Sequence, residues 1–469
     1  MTRGLARSLF LLLPVFAGDW SQFRGPNAAG VSDATGLPVE FGPEKNVAWK
    51  TALPPGHSSP VLTSDTIFLT ALEGEKLLTL AVDRGTGRIK WRREAPRARK
   101  QEQHKANMAT SPSPVTDGAS VYSFFTDFGL ISYGRDGAER WRLPLGPFNN
   151  PFGMGASPIL AGDSLIMSCD SESGGFLLAV NKDTGTVRWR VERPDFTRGF
   201  STPVLYQPPK GPQQVILAGS FELAAYEVET GRKAWWTSGM TWQMKPTPVL
   251  GRDVIYVQGW AGGADNGQQE VVPTFEEVLK SKDADRDGRL SKAEIADPRL
   301  ISDWRAMDLD DDGVVNARDW KMYQGRRSVV NALSAFRLGG TGDVSDSAAL
   351  WKYYKSLPNV PSPLLYQDVL YMLKEGGILT TLDPKTGAVY KQARLTGALD
   401  QYFSSTVAAD GKIYAISQAG KASVIKAGPE WEILALNDLG DECHATPAIA
   451  DGKLYVRTRG TLYCFARRE

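Results

Sequence analysis

A hairpin that returns at a regular interval constrains this chain more than any other feature. Residues 178–189 read as strand, turn, strand. Leu178 to Val180 is apolar, Asp183-Thr184-Gly185 is turn chemistry, and Thr186 to Trp189 is β-branched and aromatic. Copies stand at residues 83–91, 135–141, 229–235 and 383–390, with weaker ones ending at Trp351 and Trp431. With an orphan half at Asn46-Val-Ala-Trp49 there are eight aromatic-ended strands, at Trp49, Trp91, Trp141, Trp189, Trp235, Trp351, Tyr390 and Trp431. A second marker runs in phase with them, a small residue and usually Pro at the start of an apolar strand. It occurs at Ser59-Pro60, Ser113-Pro114, Ser157-Pro158, Thr202-Pro203, Thr247-Pro248, Ser362-Pro363, Ser405-Thr406 and Thr446-Pro447. Most markers are spaced 41 to 54 residues apart. Four short antiparallel strands per unit at that period predict an all-β, eight-bladed β-propeller.

The last strand, residues 461–465, has no downstream Trp strand, and the first, at Trp49, has no upstream hairpin. One blade shared between the termini would close the ring and remove two open sheet edges. The Asp-x-x-Thr-Gly-x-x-x-Trp and Ser-Pro-x-Val markers resemble the repeat of the pyrroloquinoline-quinone-like propellers, over roughly residues 40–260 and 331–469. The resemblance implies the fold. It does not imply the cofactor, because Trp and Gly at these positions serve to lock neighbouring blades.

One interval breaks the period, from Pro248 to Pro363. Residues 261–330 read as a helical, acidic insertion between the second and third strands of the fifth blade. Topology predicts that it stands on the channel rim, on the face where the Ser-Pro steps enter. Within it, Asp283, Asp285, Asp287, Gly288, Arg289, Ser291 and Glu294 match the twelve-residue EF-hand loop. Three carboxylates, the Arg289 carbonyl, Ser291 through water and a bidentate Glu294 suit a hard cation that takes six to eight oxygens. A second loop offers Asp308, Asp310, Asp312, the Val314 carbonyl, Asn316 and Asp319. Asp at its last position reaches less far than Glu, so two Ca²⁺ sites are expected, the second weaker. Thr274 to Glu277 and Ser291 to Glu294 read as capping boxes, and residues 299–307 as a connecting helix. Leu290 and Val315 occupy equivalent positions, where a short β contact can join the two loops.

Charge excludes a general polyanion partner: 54 basic and 53 acidic residues give a net +1. Residues 1–17, with Arg3 and Arg7 ahead of an apolar run, read as a signal peptide. The expected organisation is signal peptide 1–17, propeller 18–260, insertion 261–330 and propeller 331–469. Three scattered cysteines, Cys169, Cys443 and Cys464, form no disulfide framework and read as buried thiols. The chain is expected in the periplasm or secreted, as a monomer without a membrane span or nucleic-acid partner.

Chemistry outside the insertion is sparse. Quinone-dependent dehydrogenases of the resembling family carry an adjacent Cys pair and a Glu-Asn-Asp set on the channel face, and neither is found here. Pyrroloquinoline quinone is therefore not expected, and no catalytic residue is assigned. His57, His104 and His444 precede Ser-Pro-type steps and read as exposed or locally bonded. Phe148, Phe152, Phe200, Trp242, Tyr402 and Phe403 cluster near the same face, where they could form a ligand or peptide funnel. The function expected is a non-catalytic, Ca²⁺-binding scaffold for an envelope or extracellular protein or peptide. A quinone-dependent periplasmic dehydrogenase is the alternative.

Overall fold

The computed structural model describes residues 20–467. The expected signal peptide, residues 1–17, lies outside them. Eight four-stranded antiparallel blades make a closed propeller, with Gly342–Asp343 added in parallel to the outer edge of the fourth blade. In the third blade the order is Ile159–Ala161, Ser164–Cys169, Gly175–Asn181 and Val187–Arg193. Its second strand is buried at every position, whereas the outermost exposes most residues. Neighbouring blades cover both faces of a middle strand, so the period-two alternation of a half-exposed strand survives only at the rim. The ring closes as the unpaired ends require. Val47–Ala52 pairs antiparallel with Thr461–Ala466, with Trp49 opposite Cys464.

Two sets of interblade contacts account for the two sequence markers. The indole Nε1 of Trp49, Trp91, Trp141, Trp189 and Trp351 donates to a backbone carbonyl of the next blade's hairpin, at 2.7–3.1 Å. Beneath each ring lies the hairpin glycine, Gly87, Gly137, Gly185, Gly231 and Gly387 in turn. Trp235 departs from the pattern. Its Nε1 donates to Gln214 Oε1 of its own blade, and Val344 and Ala348 pack in its cluster.

The second set is a belt of hydroxyls around the channel. Ser59 N–H donates to Ser113 Oγ, Ser113 N–H to Ser157 Oγ, and Ser157 N–H to Thr202 Oγ1. The belt continues from Thr247 to Ser362, Ser405, Thr446 and back to Ser59. Among the described residues only the Thr202–Thr247 step lacks such a bond, and a Gly199–Met244 backbone bridge joins blades four and five there.

Residues 20–30 run across the channel. Trp20 O and Ser21 O accept from Leu62 N and Thr116 N of blades one and two. Asn27 exchanges two hydrogen bonds with Leu205 of blade four, Arg24 reaches Pro363 O of blade six, and Gly30 O accepts from Ala408 N of blade seven. Contacts to opposite sides of the ring place this segment as a plug. Sequence periodicity carried no sign of it.

The interruption emerges after Val254–Gly259 and returns at Ala332–Arg337, the second and third strands of blade five. It holds helices α1 (Phe275–Lys282), α2 (Lys292–Ile295), α3 (Pro298–Ser302), α4 (Trp304–Met307) and α5 (Ala317–Ser328) around its own small core of Leu290, Ile295, Trp304, Met307, Val315 and Trp320. The single helix expected over 299–307 is two short ones. Asp303, with φ −91° and ψ 4°, interrupts it, and its carboxylate pairs with Arg327 of α5. Arg318 Nη2 donates to Glu172 O and Pro194 O, and Asn149 Nδ2 to Leu309 O, so the insertion rests on the loops around blade three. Among the described residues no helix is long and apolar enough to cross a membrane.

Candidate ligand cavity and acidic loops

Above the plug the channel opens as a cavity of about 700 Å³. Phe23 of the plug lies in its wall, and all eight hydroxyl residues of the belt line it. Toward the mouth the lining changes character around the ring. On the side of blades seven, eight and one, His57 stacks on His444 with ring centres 4.0 Å apart, and Phe403 stacks on His444 at 4.7 Å. Burial, with His444 and two arginines nearby, pushes His57 down to about 3, and burial also lowers His444. Both rings are therefore neutral aromatic surface at neutral pH. All three histidines line this cavity. His104 is exposed and accepts from Ala106 N, as expected, whereas His57 and His444 are half-buried and stacked on each other. Of the six aromatic residues singled out in sequence, five line it. Phe148 is instead buried between Phe124 and Phe176.

The opposite side, at blades four and five, is basic. Arg198 Nε pairs with Glu172, and its guanidinium lies 4.8 Å from the Trp242 ring and 5.2 Å from Phe152. Arg326 of α5 lies 4.5 Å from the same Trp242 ring and 3.7 Å from the same Glu172 carboxylate. Lys245 Nζ donates to Gln243 Oε1, Asn359 Oδ1 and Trp260 O at 2.6, 2.7 and 3.3 Å. Burial pulls its ammonium down to about 7, against the opposing pull of Glu375. Sequence reasoning missed Arg198, Lys245 and Arg326, because no local motif marks them.

In the insertion, single carboxylate oxygens of Asp283, Asp285 and Asp287 lie within 4.8 Å of one another, and so do those of Asp308, Asp310 and Asp312. Asp283 Oδ2 accepts from Gly288 N, while Asp283 Oδ1 is buried without a hydrogen-bond partner. Glu294 is turned to the backbone. Its Oε1 accepts from Ala284 N, its Oε2 from Ser291 N and Oγ, and these bonds hold the carboxyl below its ordinary range. Asp319 is fully buried, bonded to Leu309 N and Asn316 N, and burial pushes it up. Ser291 and Asn316 serve as helix N-caps. Leu290 and Val315 face each other in a two-residue antiparallel bridge that ties the loops together. Arg289 and Val314, whose carbonyls the loop pattern calls on, sit beside that bridge.

The profile of a family described as outer membrane protein assembly factor BamB matches residues 41–151 and 173–469. The chain belongs to this family. No curated protein sequence matches it. Among solved structures, BamB from Moraxella catarrhalis is 12% identical with a TM-score of 0.54, covering 90% of this chain and 99% of that one. The quinohemoprotein alcohol dehydrogenase ADHIIG from Pseudomonas putida HK5 is 11% identical with a TM-score of 0.57, covering 95% and 80%. A europium-containing methanol dehydrogenase is 10% identical with a TM-score of 0.57, covering 96% and 98%. At these identities the likeness is one of fold. The BamB-family propeller thus has both a protein of outer-membrane assembly and dehydrogenases among its structural neighbours.

Proposed function

We propose that this BamB-family chain is an exported, non-catalytic binding scaffold that takes a ligand or peptide segment into the channel cavity and holds Ca²⁺ in its inserted EF-hand pair. One observation carries the reading. The cavity is plugged at one end and aromatic at its mouth, and the hydroxyls of its wall are engaged in joining blades. Such hydroxyls are poorly placed to act as nucleophiles. The histidines beside them are stacked and neutral, and all three cysteines are buried. Shape and apolar lining favour binding over reaction.

The dehydrogenase alternative meets an unsuitable donor set. The channel offers Glu375 and Asn359, but Asn359 Oδ1 is occupied by the Lys245 ammonium. Among the described residues, groups of three His, Cys, Asp or Glu close enough for one ion occur only in the two loops. The cation of a quinone site therefore lacks its donor set among these residues.

Ca²⁺ fits the loops. Three converging carboxylates repel one another unless a cation lies between them, and Asp283 Oδ1 has no other partner. Asp283, Asp285, Asp287, the Arg289 carbonyl and Glu294 would hold the first ion, with Ser291 acting through water. Asp308, Asp310, Asp312, the Val314 carbonyl, Asn316 and Asp319 would hold the second more weakly. The partner we expect is an envelope or extracellular protein. Calorimetry with CaCl₂ should show two exothermic sites, and Glu294→Gln should weaken the first at least tenfold. No uptake at millimolar Ca²⁺ removes the ion from the reading. Dye reduction with alcohols after reconstitution with the quinone removes the scaffold.

A further inference from the structure

The basic side of the cavity contains more positive charge than its own carboxylates neutralise. Arg198 is 7% exposed, and only its Nε is used, toward Glu172; its two Nη groups make no hydrogen bond to the described protein. Glu172 is shared with Arg326, whose Nε and Nη2 are buried without hydrogen-bond partners. Lys245 forms no ion pair among the described residues, and its three acceptors are neutral. Glu375 is the one acidic residue lining the cavity, and it accepts from Asn359 N. At the cavity wall Arg198 and Lys245 thus have Glu172 and Glu375 near them, and Glu172 is divided with Arg326, on which Asp303 and Asp319 also act from within the insertion. The cations also repel one another: Arg198 lowers the proton affinity of both Lys245 and Arg326. A fold does not ordinarily leave a nine-tenths-buried guanidinium with open donors.

We infer that this cluster is the anion subsite of the cavity, and that the ligand is a carboxylate attached to a flat aromatic body. The carboxylate meets the open Nη groups of Arg198 and the ammonium of Lys245, which relieves their mutual repulsion. Trp242, Trp260 and Phe152 border those cations, and the Phe403–His444–His57 stack faces them across the channel, so an aromatic body finds apolar surface on both sides. A volume of about 700 Å³ accommodates such a molecule and excludes a folded partner. The carboxylate can belong to a free aromatic acid or to the terminal residue of a peptide. This inference rests on the reading of the cavity as a binding site.

Isothermal titration of the Ca²⁺-loaded full chain with 2-naphthoate, and with the neutral 2-naphthamide, tests it. The acid should bind one to one, at least tenfold tighter than the amide and more weakly as salt is added. Lys245→Gln and Arg198→Lys should each lower acid affinity at least fivefold and leave amide affinity unchanged. Two variants are used because removing a buried guanidinium outright can unfold the chain. A peptide ending in Trp with a free carboxylate, compared with its amide, distinguishes the sources. Tighter binding than naphthoate identifies a chain terminus, and weaker binding a small acid. Acid and amide binding equally overturns the anion subsite and leaves the cavity reading standing. Neither probe binding at millimolar concentration overturns both.

Discussion

Replacing Gly185 with Ala should cost far more than replacing Gly162 with Ala in the same blade, although both glycines have positive φ, +72° and +58°. A Cβ at Gly162 meets nothing within 4 Å, so the cost there is that of a left-handed residue with a side chain, about 1–2 kcal/mol. At Gly185 the same Cβ would stand 2.6 Å from Cδ2 and Cε3 of Trp141. Ordinary contact begins at 3.4 Å, so the indole has to retreat by nearly an ångström. That movement breaks the 2.7 Å bond from Trp141 Nε1 to Lys182 O, worth about 0.5–1.5 kcal/mol, and overpacks the seam by about 1–3 kcal/mol. The total for Gly185→Ala is about 2.5–6.5 kcal/mol, about 1.5–4.5 kcal/mol above the control. Urea unfolding of both variants beside the parent protein reads the difference as separate midpoints at a common slope. Coincident midpoints would refute the claim that the Trp–Gly contact clamps adjacent blades.

Arg193 and Asp170 form a buried pair, each 1% exposed or less, with Arg193 Nε 2.8 Å from Asp170 Oδ1. Arg193→Leu leaves that carboxylate alone, and urea unfolding should show a loss of about 3–5 kcal/mol at pH 7. Burial already raises the Asp170 proton affinity, and without Arg193 nothing opposes it. The folded variant then binds its proton more tightly than the unfolded chain does, so its stability should be fullest at low pH and fall as pH rises. The parent, in which Arg193 opposes the effect of burial, should show a smaller loss. Lys245 titrates near 7 among Glu375, Arg198, Gln243, Asn359 and Trp260. Its positive charge is present below that pH and lost above it, so 2-naphthoate affinity measured by calorimetry should fall about tenfold between pH 6 and pH 8.5. A flat profile would remove Lys245 from the anion subsite.

The legible parts of this molecule are those whose contacts recur or stay local. Five of the blade seams repeat a Trp over a Gly, so the period in sequence is the period in space. The eightfold ring and its closure through Trp49 could be read before any coordinates. Each acidic loop draws its carboxylates from twelve consecutive residues, and Thr274, Ser291 and Asn316 cap helices at positions that spacing alone marks. The Ser-Pro steps were visible as markers, but their hydrogen-bonded belt was not, because its partners lie about forty residues apart and a hydroxyl there carries no mark of its acceptor role.

The cavity belongs to the other category. Phe23 comes from the plug, His57 and His444 from blades one and eight, and Arg198 and Lys245 from the two sides of the one gap in the belt, while Arg326 of α5 backs them through Glu172 and Trp242. Each is a single event in the chain. Periodicity encodes contacts that recur from blade to blade and local spacing encodes the acidic loops, so sequence alone determined the ring, its closure and those loops. Only the tertiary structure decided where unrepeated side chains meet, since convergence over hundreds of residues is set by how the ring closes and leaves no pattern along the chain.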